Sequence, residues 1–149
     1  MTAENARAQF AAADADRRDD SGSETVRLAP LRVGITNEDA AAFVNATGGS
    51  REVGRVPLTF PARWLALPPV RNLIKDFLGG GFLPIHEAQN FTYERELEVD
   101  REYILGVEAC RTQAPPRLTL RMSIASPEGV ICAQLEAVLR IAPTELGPC

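Results

Sequence analysis

The chain has 149 residues, of which 45% are hydrophobic and 24% are charged, a length and composition typical of one soluble domain with a substantial core. Its formal charge is −4, and its 16 basic residues, all but one of them arginine, are scattered, which argues against a nucleic-acid partner. The chain shows no signal-peptide pattern and no apolar run near the roughly 20 residues of a membrane span, so no membrane partner is predicted.

Residues 1–27 form the first segment, which is rich in Ala, Asp, Arg and Ser. The stretch DADRRDDSGSE, residues 14–24, contains almost no apolar side chain. A segment with so little apolar surface to bury is expected to remain a flexible leader. No function is assigned to it.

The segment ITNEDAAAFVNATGG, residues 35–49, predicts a short amphipathic helix. Thr36 and Asp39 have the spacing of a capping box, with Asp in the place of Glu. The residues that share one helical face are Ala40, Phe43, Val44 and Thr47. Gly48 and Gly49 then end the helix.

A second helix is predicted over residues 70–78. It follows RVPLTFP, residues 55–61, which predicts a short extended element bounded by prolines. Pro69 suits the first turn of a helix, whereas Pro68 disfavours helix in the residue before it. The apolar positions then recur at helical spacing: Val70, Leu73, Ile74, Phe77 and Leu78.

Four strands are predicted in the rest of the chain. In residues 91–99 the odd positions are mostly apolar and the even positions are Thr and three Glu, which indicates a half-buried strand with a solvated acidic face. Alternation predicts the other three strands at residues 103–109, 118–124 and 131–141. Residues 144–149 are expected to be a tail.

These elements predict an α+β domain over residues 28–143. Consecutive strands with short connections are antiparallel, and their apolar face matches the apolar stripe of the 70–78 helix. With the extended element at 55–61, we expect one central helix wrapped by a curved antiparallel sheet of about five strands, which is the hot-dog arrangement.

The three cysteines are Cys110, Cys132 and Cys149. Their odd number and the lack of a CxxC spacing favour reduced thiols in the cytoplasm over disulfides or a zinc site. A metal site needs at least three ligands, and no cluster in the sequence supplies them. We therefore expect neither a metal nor a cofactor.

Several motifs resemble those of the MaoC-like acyl dehydratases. Within residues 35–49, Phe43, Thr47 and Gly48 match the front half of a family motif that reads F-x-x-x-T-G-D-x-N-P-x-H. The segment VPLTFPARW, residues 56–64, is similar to the stretch before the family's central helix.

A second segment resembles the N-terminal hot-dog domain of the two-domain members of this family. It reads FLPIHEAQNFTYERELEVDREY, residues 82–103. The matching positions are His86, Gln89, Phe91, Tyr93, Arg95 and Leu97. The whole resemblance covers roughly residues 30–142.

The resemblance implies an (R)-specific enoyl-CoA hydratase or 3-hydroxyacyl dehydratase that has lost its chemistry. The family's catalytic Asp and His would fall at Gly49 and Gly54, which have no titratable group. N-terminal domains of this kind commonly bind the acyl chain, whereas the other half of the protein catalyses the reaction. Backbone amides at a helix start are expected to remain as oxyanion donors.

The resemblance also implies the residues of a site and the partners. We expect substrate contacts from Phe60, Trp64, Gln89 and Tyr93, an acyl-CoA or other acyl thioester as ligand, and no cofactor. Since the site of this fold lies between two hot dogs, we expect a homodimer or a heterodimer with a catalytic hot-dog subunit.

His86 is the only histidine in the chain. As a general base beside a bound thioester it would have a suitable unperturbed pKa. As a structural residue it would lie at the entry to the sheet and bond backbone groups or Gln89. We favour the structural reading, because no partner motif accompanies this histidine.

Three hypotheses for function follow. The first is an acyl-thioester-binding protein that lacks the hydratase pair. The second is an active hydratase, dehydratase or thioesterase that uses His86. The third is an interaction domain without a ligand.

Overall fold

A computed structural model describes residues 14–19, 23–49 and 54–145, and for residues 14–19 it describes the backbone alone. The elements in chain order are strands β1 Asp14–Asp19, β2 Ser23–Arg27 and β3 Leu31–Gly34, helix α1 Asn37–Thr47, a 3₁₀-helix Phe60–Ala66, helix α2 Pro68–Leu78, and strands β4 Phe82–Tyr93, β5 Glu102–Gln113, β6 Pro116–Ala125 and β7 Ile131–Pro143. None of the described helices is both long and apolar enough to span a bilayer.

The described strands form one antiparallel sheet in the order β1-β2-β5-β6-β7-β4. Strand β3 also pairs with β5, further along the same edge as β2. Pro30 lies between β2 and β3 and has no N–H to give to the ladder. Strands β2 and β3 therefore pair in succession with the same side of β5, β1 lies outside β2, and β4 is the last described strand at the other end of the sheet.

Helix α2 packs its apolar stripe against one face of this sheet. The helix buries Val70, Leu73, Phe77 and Leu78. The sheet contributes alternate residues of β5, β6 and β7, among them Leu105, Leu120, Met122, Ile124 and Leu135, each at most 2% exposed. This is the predicted two-layer α+β arrangement, and its inner face is the one that α2 covers.

Both predicted helices are present. Thr36 caps α1 and forms the predicted capping box with Asp39, and Gly48 ends the helix in the left-handed conformation. Helix α2 begins two residues earlier than its apolar stripe, with Pro68 and Pro69 in its first turn.

The prediction of an extended element at residues 55–61 is wrong for most of these residues. Arg55 forms a single bridge with Glu98, and the 3₁₀-helix starts at Phe60. Pro61 lies in the first turn of that helix, a position where its fixed φ and missing N–H carry no penalty. The prolines therefore mark a helical turn and not the bounds of a strand.

The first of the four later strands is also displaced from its prediction. Strand β4 starts at Phe82 and ends at Tyr93, so residues 94–99, predicted as strand, belong to the connection to β5. The acidic side chains Glu94, Glu96 and Glu98 are exposed, as expected, but they lie in this connection.

The domain begins earlier than residue 28. Residues 23–27, assigned from the sequence to a flexible leader, form β2 and pair with β5, and residues 14–19 pair with β2 as β1. Polar residues suffice there because β2 and β1 extend the outer edge of the sheet. Residues 1–13, 20–22 and 146–149 lie outside the described part of the chain, so the rest of the leader and most of the tail stay predictions.

Candidate functional site

His86 is the fifth residue of β4 and not the entry to the strand. It pairs with Leu139, and its side chain is exposed. Within the described part of the chain its ring makes no hydrogen bond and no ion pair, so the expected bonds to the backbone or to Gln89 are not formed. His86 therefore has neither a structural partner nor an orienting group among the residues that the structure describes.

A β-bulge at Glu87 sets the direction of the His86 side chain. His86 pairs with Leu139 and Ala88 pairs with the adjacent Val138, so Glu87 is the extra residue. Because of this extra residue, His86 shares the inner face of the sheet with Gln89, although their spacing is odd. Without the bulge, strict alternation would place them on opposite faces.

Tyr93 ends β4 on the same inner face. Its hydroxyl donates a hydrogen bond to the carbonyl oxygen of Leu58 at 2.5 Å, which holds the segment before the 3₁₀-helix against β4. Partial burial raises the pKa of Tyr93 to about 12, so the hydroxyl remains protonated at neutral pH. Along the strand, His86 and Tyr93 are seven residues apart, or roughly 23 Å.

Phe60 and Trp64 belong to the core. They are 1% and 4% exposed, and their rings meet edge to face with centroids 5.7 Å apart. Both line one side of a cavity of about 380 Å³ beside the start of α2, together with Arg32 and Arg63. The four residues predicted to contact substrate thus form two groups in one chain, Phe60 with Trp64 and Gln89 with Tyr93.

Gly49 and Gly54 flank residues 50–53, which lie outside the described part of the chain. Gly49 follows the end of α1, and Gly54 has φ of 83°, a left-handed conformation that a residue with a Cβ adopts only with strain. Neither position supplies an acid or a base, and the backbone at Gly54 disfavours a histidine there.

The start of α2 is poor in the backbone amides that were expected to remain as oxyanion donors. Pro68 and Pro69 have no N–H, and the N–H of Leu67 donates to the Trp64 carbonyl at 3.1 Å. Only Val70 retains an N–H without an intrahelical acceptor in the first turn, and Val70 is fully buried. An oxyanion hole needs several preorganised donors at one point.

The start of α1 offers no better donors. The N–H of Asp39 donates to the Thr36 hydroxyl at 3.0 Å, and the first turn of the helix carries the carboxylates of Glu38 and Asp39. These negative charges complement the helix dipole and repel a second anion. Neither described helix start therefore favours the negative charge that develops on a reacting thioester.

The outer face of the sheet carries ion pairs that sequence reasoning missed. Arg121 bonds Glu136 at 3.0 Å and lies 3.8 Å from Glu108, which also pairs with Arg27 at 2.6 Å. They border a shallow groove of about 580 Å³. These four charged residues all lie at outward-facing positions of their strands, so the alternation of each strand could have placed them on one face. Because two positive charges balance two negative ones, this network ties strands together and selects no charged ligand.

A second outer-face pair joins β4 to β6. Arg117 holds Glu87 with two hydrogen bonds of 2.5 and 3.0 Å, across the intervening strand β7. The bond to Arg117 lowers the pKa of Glu87, and the nearby charge of Arg140 contributes in the same direction. The side chain of the bulge residue Glu87 is thus paired with Arg117.

The fold of this chain is similar to that of several solved structures. A hot-dog-like protein from Thermanaerovibrio acidaminovorans matches with a TM-score of 0.61 at 13% identity, over 79% of this chain and 82% of that one. The C-terminally truncated HadBC (3R-hydroxyacyl-ACP dehydratase) complex from Mycobacterium tuberculosis matches with a TM-score of 0.59 at 12% identity, over 83% of this chain and 98% of that one.

An (R)-hydratase from A. caviae involved in PHA biosynthesis matches with a TM-score of 0.54 at 20% identity, over 76% of this chain and 92% of that one. No protein-family model and no curated protein sequence matches the chain. Identities this low establish the fold alone. The chain is a hot-dog domain, as the sequence predicted.

Proposed function

We propose that this chain is a MaoC-like hot-dog protein that binds acyl thioesters of the acyl-CoA type without hydrating or dehydrating them. The hot-dog fold supports the ligand class, since the proteins that share it include an (R)-hydratase and a hydroxyacyl-ACP dehydratase. The resemblance of residues 35–49 and 82–103 to MaoC-like motifs supports the family. The pattern of the cysteines supports a cytoplasmic location.

The observation that carries the proposal is the glycine at positions 49 and 54. Hydration of an enoyl thioester needs a base to activate water and an acid to protonate the α-carbon. At the two positions where the resemblance puts that pair, the chain has no side chain, and Gly54 is in a left-handed conformation. The start of α2, where Pro68 and Pro69 have no N–H, does not supply the several donors that an oxyanion hole needs.

The assembly is part of the proposal. Strand β4 is the last of the described strands at its end of the sheet. Gln89 and Tyr93 lie on its inner face, and neither of them lines the 380 Å³ cavity that Phe60 and Trp64 line. His86 lies in the first seven residues of the strand, all of which are exposed. A second hot dog, either another copy or a catalytic subunit, would cover that part.

Enzyme assays on the purified chain test the proposal. We expect no appreciable hydration of crotonyl-CoA by wild type, and no change for His86→Ala, whose fold is checked by circular dichroism. Loss of one acid–base group typically lowers a rate by about 10² to 10⁴. Turnover at several per second by wild type, abolished in the folded His86→Ala variant, would make His86 the catalyst and refute the proposal.

A further inference from the structure

The cavity of about 380 Å³ beside the start of α2 has the composition of a small-molecule site. Residues of β3, α1, the 3₁₀-helix and the start of α2 line it, and its charged groups are Arg32, Asp39 and Arg63. The apolar part of the lining consists of Val33, Phe60, Trp64, Ala66, Leu67 and Pro68. Pockets of this volume with apolar walls and a few fixed polar groups are typical of ligand sites.

The guanidinium of Arg63 is held in place and keeps free donors. Its Nη1 lies 3.1 Å from Oδ1 of Asp39 and donates to the backbone carbonyl of Asp39 at 3.4 Å. Its Cζ lies 5.8 Å from the centre of the Phe60 ring. Among the described residues, Nε and Nη2 of Arg63 have no hydrogen-bond partner. Two guanidinium nitrogens side by side match the two oxygens of a carboxylate.

The charges around the cavity favour an anion. The lining residues carry two positive charges, on Arg32 and Arg63, against the one negative charge of Asp39. Both oxygens of Asp39 are already used, because Oδ2 accepts from the N–H of Thr36 at 3.3 Å and Oδ1 is paired with Arg63. The N-terminal end of α2 also borders the cavity and adds partial positive charge.

The indole N–H of Trp64 lacks an acceptor. Trp64 is only 4% exposed, and this N–H makes no hydrogen bond to any residue that the structure describes. It is not one of the fully buried polar atoms without a partner, so it reaches the surface. Buried indole N–H groups usually have an acceptor. Because Trp64 lines the cavity, a ligand there is in a position to supply that acceptor.

We propose that the cavity binds the acyl group of the ligand and selects a short acyl group that ends in a second carboxylate, the half-thioester of a dicarboxylic acid. The terminal carboxylate pairs with the Nε–Nη2 edge of Arg63, and Arg32 adds a second positive charge. The methylene groups contact Phe60 and Leu67, and a carboxylate oxygen accepts from the N–H of Trp64. This inference names the ligand class for the proposed function, and it rests on that function only for the thioester part of the ligand.

The phosphates of CoA are the other source of an anion for this cavity. A phosphate brings no apolar surface, whereas the walls formed by Phe60, Trp64 and Leu67 gain from contact with methylene groups. The walls therefore favour the acyl carboxylate, and the test separates the two sources.

Calorimetric titration with two CoA esters of equal chain length tests the inference. We expect wild type to bind glutaryl-CoA at least about tenfold more tightly than pentanoyl-CoA, which has the same number of acyl carbons and no second carboxylate. Arg63→Gln is expected to weaken glutaryl-CoA by about tenfold to a hundredfold and to leave pentanoyl-CoA within about threefold of wild type.

Two further variants make the test specific. Arg63→Lys keeps the positive charge beside Asp39 and lacks the planar fork, so it is also expected to weaken glutaryl-CoA binding. Arg71→Gln is the matched control, because Arg71 is an exposed arginine of α2 that does not line the cavity. We expect it to bind both esters as wild type does. Circular dichroism checks the fold of each variant.

Each other outcome overturns a stated part of the account. Equal affinities of wild type for the two esters would refute the selection of a carboxylate and retain thioester binding. Equal weakening of both esters by Arg63→Gln would assign Arg63 to the phosphates of CoA and refute the acyl carboxylate. Binding of free glutarate without binding of either ester would retain the carboxylate site and refute the proposed function. No binding of glutarate or of either ester would refute both.

Discussion

At the scale of single residues, Tyr93 combines a predicted ligand contact with an observed structural bond. The family resemblance predicted that Tyr93 contacts substrate. In the structure its hydroxyl donates a hydrogen bond to the Leu58 carbonyl oxygen. A buried hydroxyl that keeps a hydrogen bond avoids the cost of desolvation without a partner. Tyr93 therefore holds the chain before the 3₁₀-helix in place, and any ligand meets its ring rather than its hydroxyl.

Tyr93 predicts a change of stability at alkaline pH. The folded state raises the pKa of Tyr93 from 10.0 to about 12, so between these values the folded protein binds more protons than the unfolded chain. The contribution of Tyr93 is fully present below pH 10 and is lost as pH rises through 12. We expect the free energy of unfolding to fall less steeply over this interval in Tyr93→Phe than in wild type, as measured by urea denaturation at several pH values.

The control for this experiment is within the same protein. Burial also raises the pKa of Tyr103, and that residue is unchanged in Tyr93→Phe, so some alkaline loss persists in the variant. Equal slopes for the two proteins between pH 10 and 12 would contradict the assigned shift. At neutral pH the free energy of unfolding of Tyr93→Phe is expected to be about 0.5 to 1.5 kcal/mol lower than that of wild type, because the hydrogen bond is missing.

The face of the sheet on which the His86 side chain lies could not be predicted from the sequence. Sequence alternation correctly indicates that Phe91 and Tyr93 face the core side, but the bulge at Glu87 has no local sequence signal. Its position depends on Arg117, a residue on another strand that holds Glu87 across β7. The bulge and this contact between residues 30 apart in sequence occur together, and a periodicity argument detects neither of them.

At the scale of secondary-structure elements, α2 is attached to the sheet at its C-terminal end by a charged hydrogen bond. Arg111 of β5 donates from Nη1 to the carbonyl oxygen of Phe77 at 2.5 Å. The last carbonyls of a helix lack intrahelical partners and carry partial negative charge, so a guanidinium is a favourable donor. The Nε atom of Arg111 is buried without a hydrogen-bond partner in the described part of the chain.

Replacing Arg111 tests this attachment. Arg111→Met keeps the apolar stem and removes the donor, and we expect it to lower the free energy of unfolding by about 1 to 2 kcal/mol, since relief of the unpaired Nε offsets part of the lost bond. Arg71→Met on the exposed side of α2 is the control, with an expected change within about 0.5 kcal/mol. Chemical denaturation of both variants measures the difference, and equal stabilities would show that the bond does not anchor the helix.

The sequence predicted helices better than strand ends. Helix α1 has a capping box and a terminal glycine, and α2 has an apolar stripe between prolines and glycines, all of which are local signals. In contrast, β1 and β2 consist mostly of charged and polar residues that were assigned to a leader. Strand β2 pairs with the edge of β5, and β1 pairs in turn with β2, so these strands depend on a partner about 80 residues away in sequence.

At the scale of the whole molecule, we propose that the fold is a binding scaffold with little catalytic chemistry. The inner face of the sheet and α2 form an apolar core, and the candidate site lies at the open edge of β4. The glycines at 49 and 54 could be read from the sequence through a family resemblance.

Calorimetric titration of the full chain with crotonyl-CoA tests the proposed binding of an acyl thioester without turnover. We expect a saturating isotherm that is tighter than the isotherm of free CoA, because the acyl group adds apolar surface to bury. After each injection the heat flow is expected to return to its baseline. A sustained heat flow that grows with protein concentration would reveal hydration, and an isotherm no tighter than that of CoA would show that the chain does not recognise the acyl group. Either result would contradict the proposed binding of an acyl thioester without turnover.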